Sequence, residues 1–249
     1  MSPSARLALA ATALLGGAAP AGAQAPARAF ATLGTDVPYQ YYGGVGVELA
    51  PLTLTYRAGL LARPYPATLT ALLRGIGLDA LYADLIDASF ASGWMNTLSV
   101  QLAVGRRGRV RVGLDLRHDR VATDDTSFDV IAPLLGPALA AALAPPGGRP
   151  TVGFRVASRL TGGGLRGGYD LPLGRSGRHA LRLELSLAKY VESATTLALD
   201  GEENAALSAL GEDILARDVF GPYGFVGGIG VGVVSRVRPP APLRTPPRT

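Results

Sequence analysis

Two histidines, a run of aspartates and a scatter of arginines are the residues of this chain whose types could do chemistry. His118 stands in Arg117-His118-Asp119-Arg120, and His179 follows Arg178. Nucleophilic hydrolysis would need one of them between a serine and a carboxylate. Ser92, Ser158 and Ser176 offer no nucleophile motif for that purpose. Asp115, Asp119, Asp124, Asp125 and Asp129 could gather around calcium, a hard cation that prefers oxygen. Their spacing matches no EF-hand loop, so Asp124 and Asp125 read as a helix cap and the others as partners of Arg117 and Arg120. Glu202 and Glu203 read likewise as charges favoured at a helix N-terminus. No catalytic residue, metal or cofactor is expected.

The arginines are more informative, because most sit on one face of an alternating strand. Period-two patterns, the mark of a strand with two unlike faces, cover residues 40–49, 52–61, 96–104, 108–117, 151–160, 164–173, 179–190 and 223–236. In 179–190, Leu181, Leu183, Leu185 and Leu187 oppose Arg182, Glu184 and Ser186. In 151–160, Val152, Phe154, Val156 and Leu160 oppose Arg155 and Arg159. Taken together the polar faces carry Arg57, Arg109, Arg111, Arg117, Arg155, Arg159, Arg166 and Arg182 against Glu48, Asp115, Asp170 and Glu184, a formal excess of +4. That face cannot meet lipid, where each arginine would cost about 2–4 kcal/mol at the midplane.

Tight connections at Ala50-Pro51, residues 105–108 and residues 174–177 join neighbouring strands as antiparallel hairpins. Three longer connectors, at about 66–90, 124–143 and 201–219, carry apolar residues at helical spacing and are expected to pack on a barrel mouth. Counting eight strands puts the third connector on the opposite rim from the first two. The count rises to ten if residues 29–35 and 195–199 also pair. Glycine clusters at 43–46 and 227–230 fall inside strands, where they mark close packing rather than a phosphate loop.

Composition agrees with one exported barrel. The 249 residues are 48% hydrophobic and only 17% charged, with a formal charge of +5, too apolar for disorder. No cysteine is present, so neither a disulfide framework nor a thiolate metal site exists. Residues 1–23 read as a secretory signal: Arg6, an apolar stretch from Leu7, and a small-x-small site at Ala21-Gly22-Ala23. Residues 24–39 are then a lead segment, and 238–249 a Pro/Arg-rich tail with extended, polyproline-like character. Lys189 is the only lysine, and the basic residues do not cluster with aromatics, so a nucleic-acid partner is not expected.

The signal, the missing cysteines and the ten-residue alternating strands over roughly residues 40–237 resemble bacterial outer-membrane β-barrel proteins. The resemblance implies an all-β fold with helical connectors: an antiparallel transmembrane barrel of about eight strands in the outer membrane of a Gram-negative-type cell. It implies porin-like lining by the polar face, either as a filled interior or as a path for small anions. Tyr41, Tyr56, Trp94, Phe154, Tyr190 and Phe225 become candidates for the interfacial girdles, and outer-membrane lipid the first partner. Two readings stand beside it. A soluble periplasmic barrel of lipocalin type would turn the leucines inward around an apolar ligand. A lipid-modifying enzyme would use His118 or His179.

Overall fold

Backbone ladders close the strands on themselves. The computed structural model describes residues 27–62, 64–75, 77–80, 83, 87, 92–105, 108–123, 126–127, 153–199, 202–203, 205–214 and 225–237. Its long strands are β1 (Arg28–Val37), β2 (Gln40–Leu49), β3 (Leu52–Leu61), β4 (Ser92–Val104), β5 (Val110–Ala122), β7 (Gly153–Leu173), β8 (His179–Leu199) and β10 (Phe225–Arg236). Two-residue strands β6 (Thr126–Ser127) and β9 (Glu202–Glu203) extend the ladders, while α1 (Tyr65–Gly75) and α2 (Ala205–Ile214) lie in two of the connectors. Every long strand pairs antiparallel with its neighbour, and the ring runs β7-β5-β4-β3-β2-β1-β10-β8 before closing through β7 and β8.

The stagger of that ring follows from its registers. Opposed residues run Arg236–Phe30–Gly46–Thr55–Ser99–Asp115–Gly164–Ala188–Val226, so one circuit returns to β10 ten residues from where it began. Eight staggered strands enclose a space just wide enough for side chains to fill.

The number eight is as expected, but the strands differ in two places. The barrel starts at Arg28 within the lead segment, and the strands expected at 151–160 and 164–173 are joined in one strand of 21 residues, Gly153–Leu173. Residues 195–199 extend β8 rather than forming a strand of their own. The rims change accordingly. The 62–91, 123–152 and 200–224 connections all leave the same rim, with the Pro38-Tyr39 turn. The opposite rim holds the turns at 50–51, 105–109 and 174–178 and both ends of the barrel. Of the three expected helices, the first is helical over Tyr65–Gly75 and the third over Ala205–Ile214, with Glu202 and Glu203 in β9 rather than at a helix N-terminus. The second begins in strand at Thr126–Ser127; its remainder from 128 lies outside the described residues, as do the signal segment 1–23 and the tail 238–249.

Periodicity decides what each face meets. On β8, Leu183, Leu185 and Leu187 are exposed while Arg182 and Glu184 are buried. On β5, Val110, Val112, Leu114 and Leu116 point out and Arg111, Asp115, Arg117 and Asp119 point in. The leucines therefore form an outer belt, and the cavity a lipocalin-type barrel would line with them is not formed by the described residues. Above the belt the pattern reverses. Val156, Leu160 and Leu197 turn inward on the tall β7–β8 hairpin, and Leu160 packs with Leu61, Tyr65, Val121 and Tyr190 as an apolar cap over the interior. A bulge at Thr161/Gly162 opposite Val191 lets Val191 and Glu192 both face out. Tyr65, the first residue of α1, joins this cap at the same rim, hydrogen-bonded to Thr35 with its ring 4.8 Å from that of Tyr41. α2 lies against β8, where Leu197 N–H donates to Ser208 Oγ at 2.8 Å.

Candidate functional site: a charged barrel interior

The strand phases bring the inward arginines and acids together in three layers along the barrel. At the rim of short turns, Arg111 donates to Glu48 at 2.7 Å and Asp170 at 3.1 Å, and also bonds Thr53. Arg182 makes a two-point contact with Asp170, at 2.6 and 2.9 Å. Arg236 joins the same acids, donating to Glu48 at 2.9 Å and Asp170 at 3.1 Å. In the middle layer Arg166 reaches Asp115 at 2.6 Å, Glu184 at 3.2 Å and Asp36 at 3.4 Å. Arg57 donates to Glu184 at 2.7 Å, and Ser99 to Asp115 at 2.6 Å. Toward the long-connector rim, Arg117 pairs with Asp119 at 3.4 Å while Tyr190 donates to Asp119 at 2.6 Å.

Aromatic rings fill the gaps between guanidinium planes. Arg57 lies 4.8 Å over the Tyr42 ring, Arg117 5.0 Å over Tyr39 and Arg182 5.6 Å over Phe30. These are cation–π distances, and desolvation strengthens such contacts. Interior glycines make room for the rings: a Cβ on Gly228 would stand 3.0 Å from Tyr39 Cε2, and one on Gly46 would strike Phe30.

Charge is balanced in this interior. Buried Arg57, Arg111, Arg117, Arg166 and Arg182 face buried Asp36, Asp115, Asp119, Asp170 and Glu184, with Glu48 and Arg236 as a half-buried pair at the rim. The expected +4 excess is therefore corrected to neutrality among the described residues. Three of its arginines are elsewhere. Arg109 is half-buried in the turn before β5, where its carbonyl accepts from Asp170 N–H. Arg155 and Arg159 point outward, because on that part of β7 the apolar residues fill the cap and the outer wall stands above the belt. Three interior charges are additional to those read from the sequence pattern. Asp36 lies in the first strand, Asp119 continues the period of β5 past His118, and Arg236 ends β10.

Tyr41, Tyr56 and Trp94 are exposed on the outer wall, Tyr56 donating to Asn96 at 2.8 Å. Tyr190 is corrected from girdle to interior, since burial against Asp119 and Arg117 turns it inward. The side chains of Phe154 and Phe225 lie outside the described residues. His118 and His179 both face outward, one at each edge of the belt, contacting Thr161 at 3.3 Å and Ser235 at 3.0 Å. No cluster of metal-ligating side chains forms among the described residues; Asp115 and Asp119 are held by arginines, and Asp124, Asp125 and Asp129 fall outside them.

The closed antiparallel ring, the outer leucine belt and the charged interior define a closed eight-stranded antiparallel β-barrel. The solved structures similar to this chain include CarO2 and CarO of Acinetobacter baumannii and a major outer membrane protein of Thermus thermophilus. CarO2 is 12% identical, covering 87% of this chain and 100% of its own, with a TM-score of 0.39. CarO is 11% identical over 85% and 97%, with a TM-score of 0.36. The Thermus protein is 13% identical over 86% and 100%, with a TM-score of 0.40. No protein-family model and no curated protein matches the chain.

Proposed function

We propose that this chain is an integral outer-membrane protein with a filled interior, serving a structural or narrow binding role without catalysis. The observation that carries the reading is the inversion of polarity: leucines outside, balanced ion pairs inside. A charged core sealed from an apolar exterior is stable only where the exterior meets hydrocarbon. The belt has the right height. On β8 it runs between His179 and Lys189, and that length at a strand tilt of 35–45° spans about 25 Å, the usual apolar band of such barrels. Short turns characteristically face the periplasm and long connections the exterior. The rim bearing the three long connectors is therefore the outer one.

Neutrality of the interior argues against an anion path, which would need unmatched positive charge. Two measurements test the reading. The protein should stay with the outer-membrane fraction through high salt and carbonate; release without detergent overturns the location. Refolded protein should give no steady conductance in planar bilayers; reproducible channels overturn the filled interior.

A further inference from the structure

We propose that the outer wall of β5 and β7 holds the phosphate of an outer-leaflet lipid between Arg120 and Arg159, with the acyl chains lying on the leucines beneath. The inference rests on the outer-membrane reading and on the long connectors facing outward.

Arg120 and Arg159 are directly opposed in the β5–β7 ladder and both are exposed. Like charges directly opposite one another destabilise a strand pair. Among the described residues neither guanidinium has a hydrogen-bond or ion-pair partner. Two facing, unsatisfied guanidinium forks are suited to an anion with several oxygens, and phosphate is the one they fit best.

Their height selects the source of that phosphate. Outward residues along β5 read Val110, Val112, Leu114, Leu116, His118, Arg120, so the arginine stands two outward positions above the last leucine. On β7, Arg159 stands three outward positions above Leu165, past Thr161 and Gly163. Lys189 on β8 stands lower, opposite Gly163 and so two outward positions of β7 below Arg159. The level of the two arginines is headgroup depth if the leucines are in hydrocarbon. Glu192, opposite Thr161, is the nearest outward-facing acid among the described residues of the ladder.

Gly163 adds a groove. It faces out between Leu116 on β5 and Lys189 on β8, and a Cβ there would meet only the Asp115 carbonyl, at 3.6 Å. The strip is open to an acyl chain descending from the arginines toward Leu165 and Leu187.

Trp94, the only tryptophan, supplies the readout, being outward on β4 and directly opposite Arg120. Detergent-refolded protein is titrated with diphosphoryl lipid A bearing a brominated acyl chain, and with the same lipid after removal of its phosphates. Trp94 should be quenched at about tenfold lower mole fraction by the phosphorylated form. R120Q/R159Q should erase that preference, Gly163→Leu should weaken both lipids, and Arg155→Gln, further above the belt, should change neither. Excess sodium phosphate should leave the quenching in place. Equal quenching by the two lipids, a preference that survives R120Q/R159Q, or displacement by inorganic phosphate overturns the proposal. Release from membranes by carbonate would overturn the outer-membrane reading instead, so the two failures are separable.

Discussion

Arg57 and Glu184 meet at 2.7 Å across the full width of the barrel. They sit on β3 and β8, which are four strands apart whichever way the ring is followed. Both side chains are buried, so the pair ties opposite walls together inside the barrel.

Breaking that tie should cost more than removing it. Glu184→Gln leaves buried Arg57 without an acid partner and should lower unfolding free energy by about 3–5 kcal/mol. Arg57→Leu leaves Glu184 paired with Arg166 at 3.2 Å and should cost less. The double replacement should cost clearly less than the sum, because the two contributions share one contact. Urea titration of liposome-refolded protein reads both, and additive losses would show that the pair is uncoupled.

The belt makes an equally direct prediction, helped by the lack of native cysteine. Leu185 is 66% exposed on the outer wall, whereas Ser99 is fully buried inside. In proteoliposomes, Leu185→Cys should react with a lipid-soluble maleimide and Ser99→Cys should not. Leu185→Arg should destabilise the inserted barrel by about 2–4 kcal/mol. Labelling of Ser99→Cys at a similar rate would reverse the assignment of faces.

Glycines on the two faces should behave oppositely. Gly228 faces inward, where a larger side chain would press on Tyr39 and disturb its 2.9 Å bond to the Gly227 carbonyl. Gly228→Leu should cost about 1–3 kcal/mol through overpacking. Gly43 faces outward, and a Cβ there would have nothing within 4 Å, so Gly43→Leu should stay within about 0.5 kcal/mol. Thermal melts of the two variants in one detergent provide the comparison.

Val191 is the extra residue of the bulge, 64% exposed. Deleting it joins Tyr190 to Glu192 in plain alternation, keeping Glu192 outward and Leu197 inward. The variant should fold with stability within about 1 kcal/mol, whereas deleting Ala188 turns every later side chain of β8 over and should abolish folding. Heat-modified gel mobility separates folded from unfolded barrel in both cases.

Alternation makes residues 110–117 of β5 and the lower part of β8 legible because leucine and charge occupy opposite faces there. The first strand escapes the pattern for a physical reason: its outward residues include Ala29, Ala31 and Thr35, too small or polar to announce a lipid face. Asp36 is lost with it, although a period counted from Phe30 and Thr32 leads straight to that residue. The upper part of β7 reads inside out from sequence. Alternation says which residues share a face, but not where along the strand the surroundings change from hydrocarbon to water. The balance of charge is hidden too, since partners such as Arg57 and Glu184 are 127 positions apart in sequence.

Closure between β1 and β10 joins the first strand made to the last. A ribosome has therefore produced the whole described barrel before the ring can shut. Arg57, made early, meets its partner Glu184 only after 127 further positions of chain. Closure of the ring is consequently a post-translational event, and a product truncated within β10 lacks the strand that joins β1 to β8.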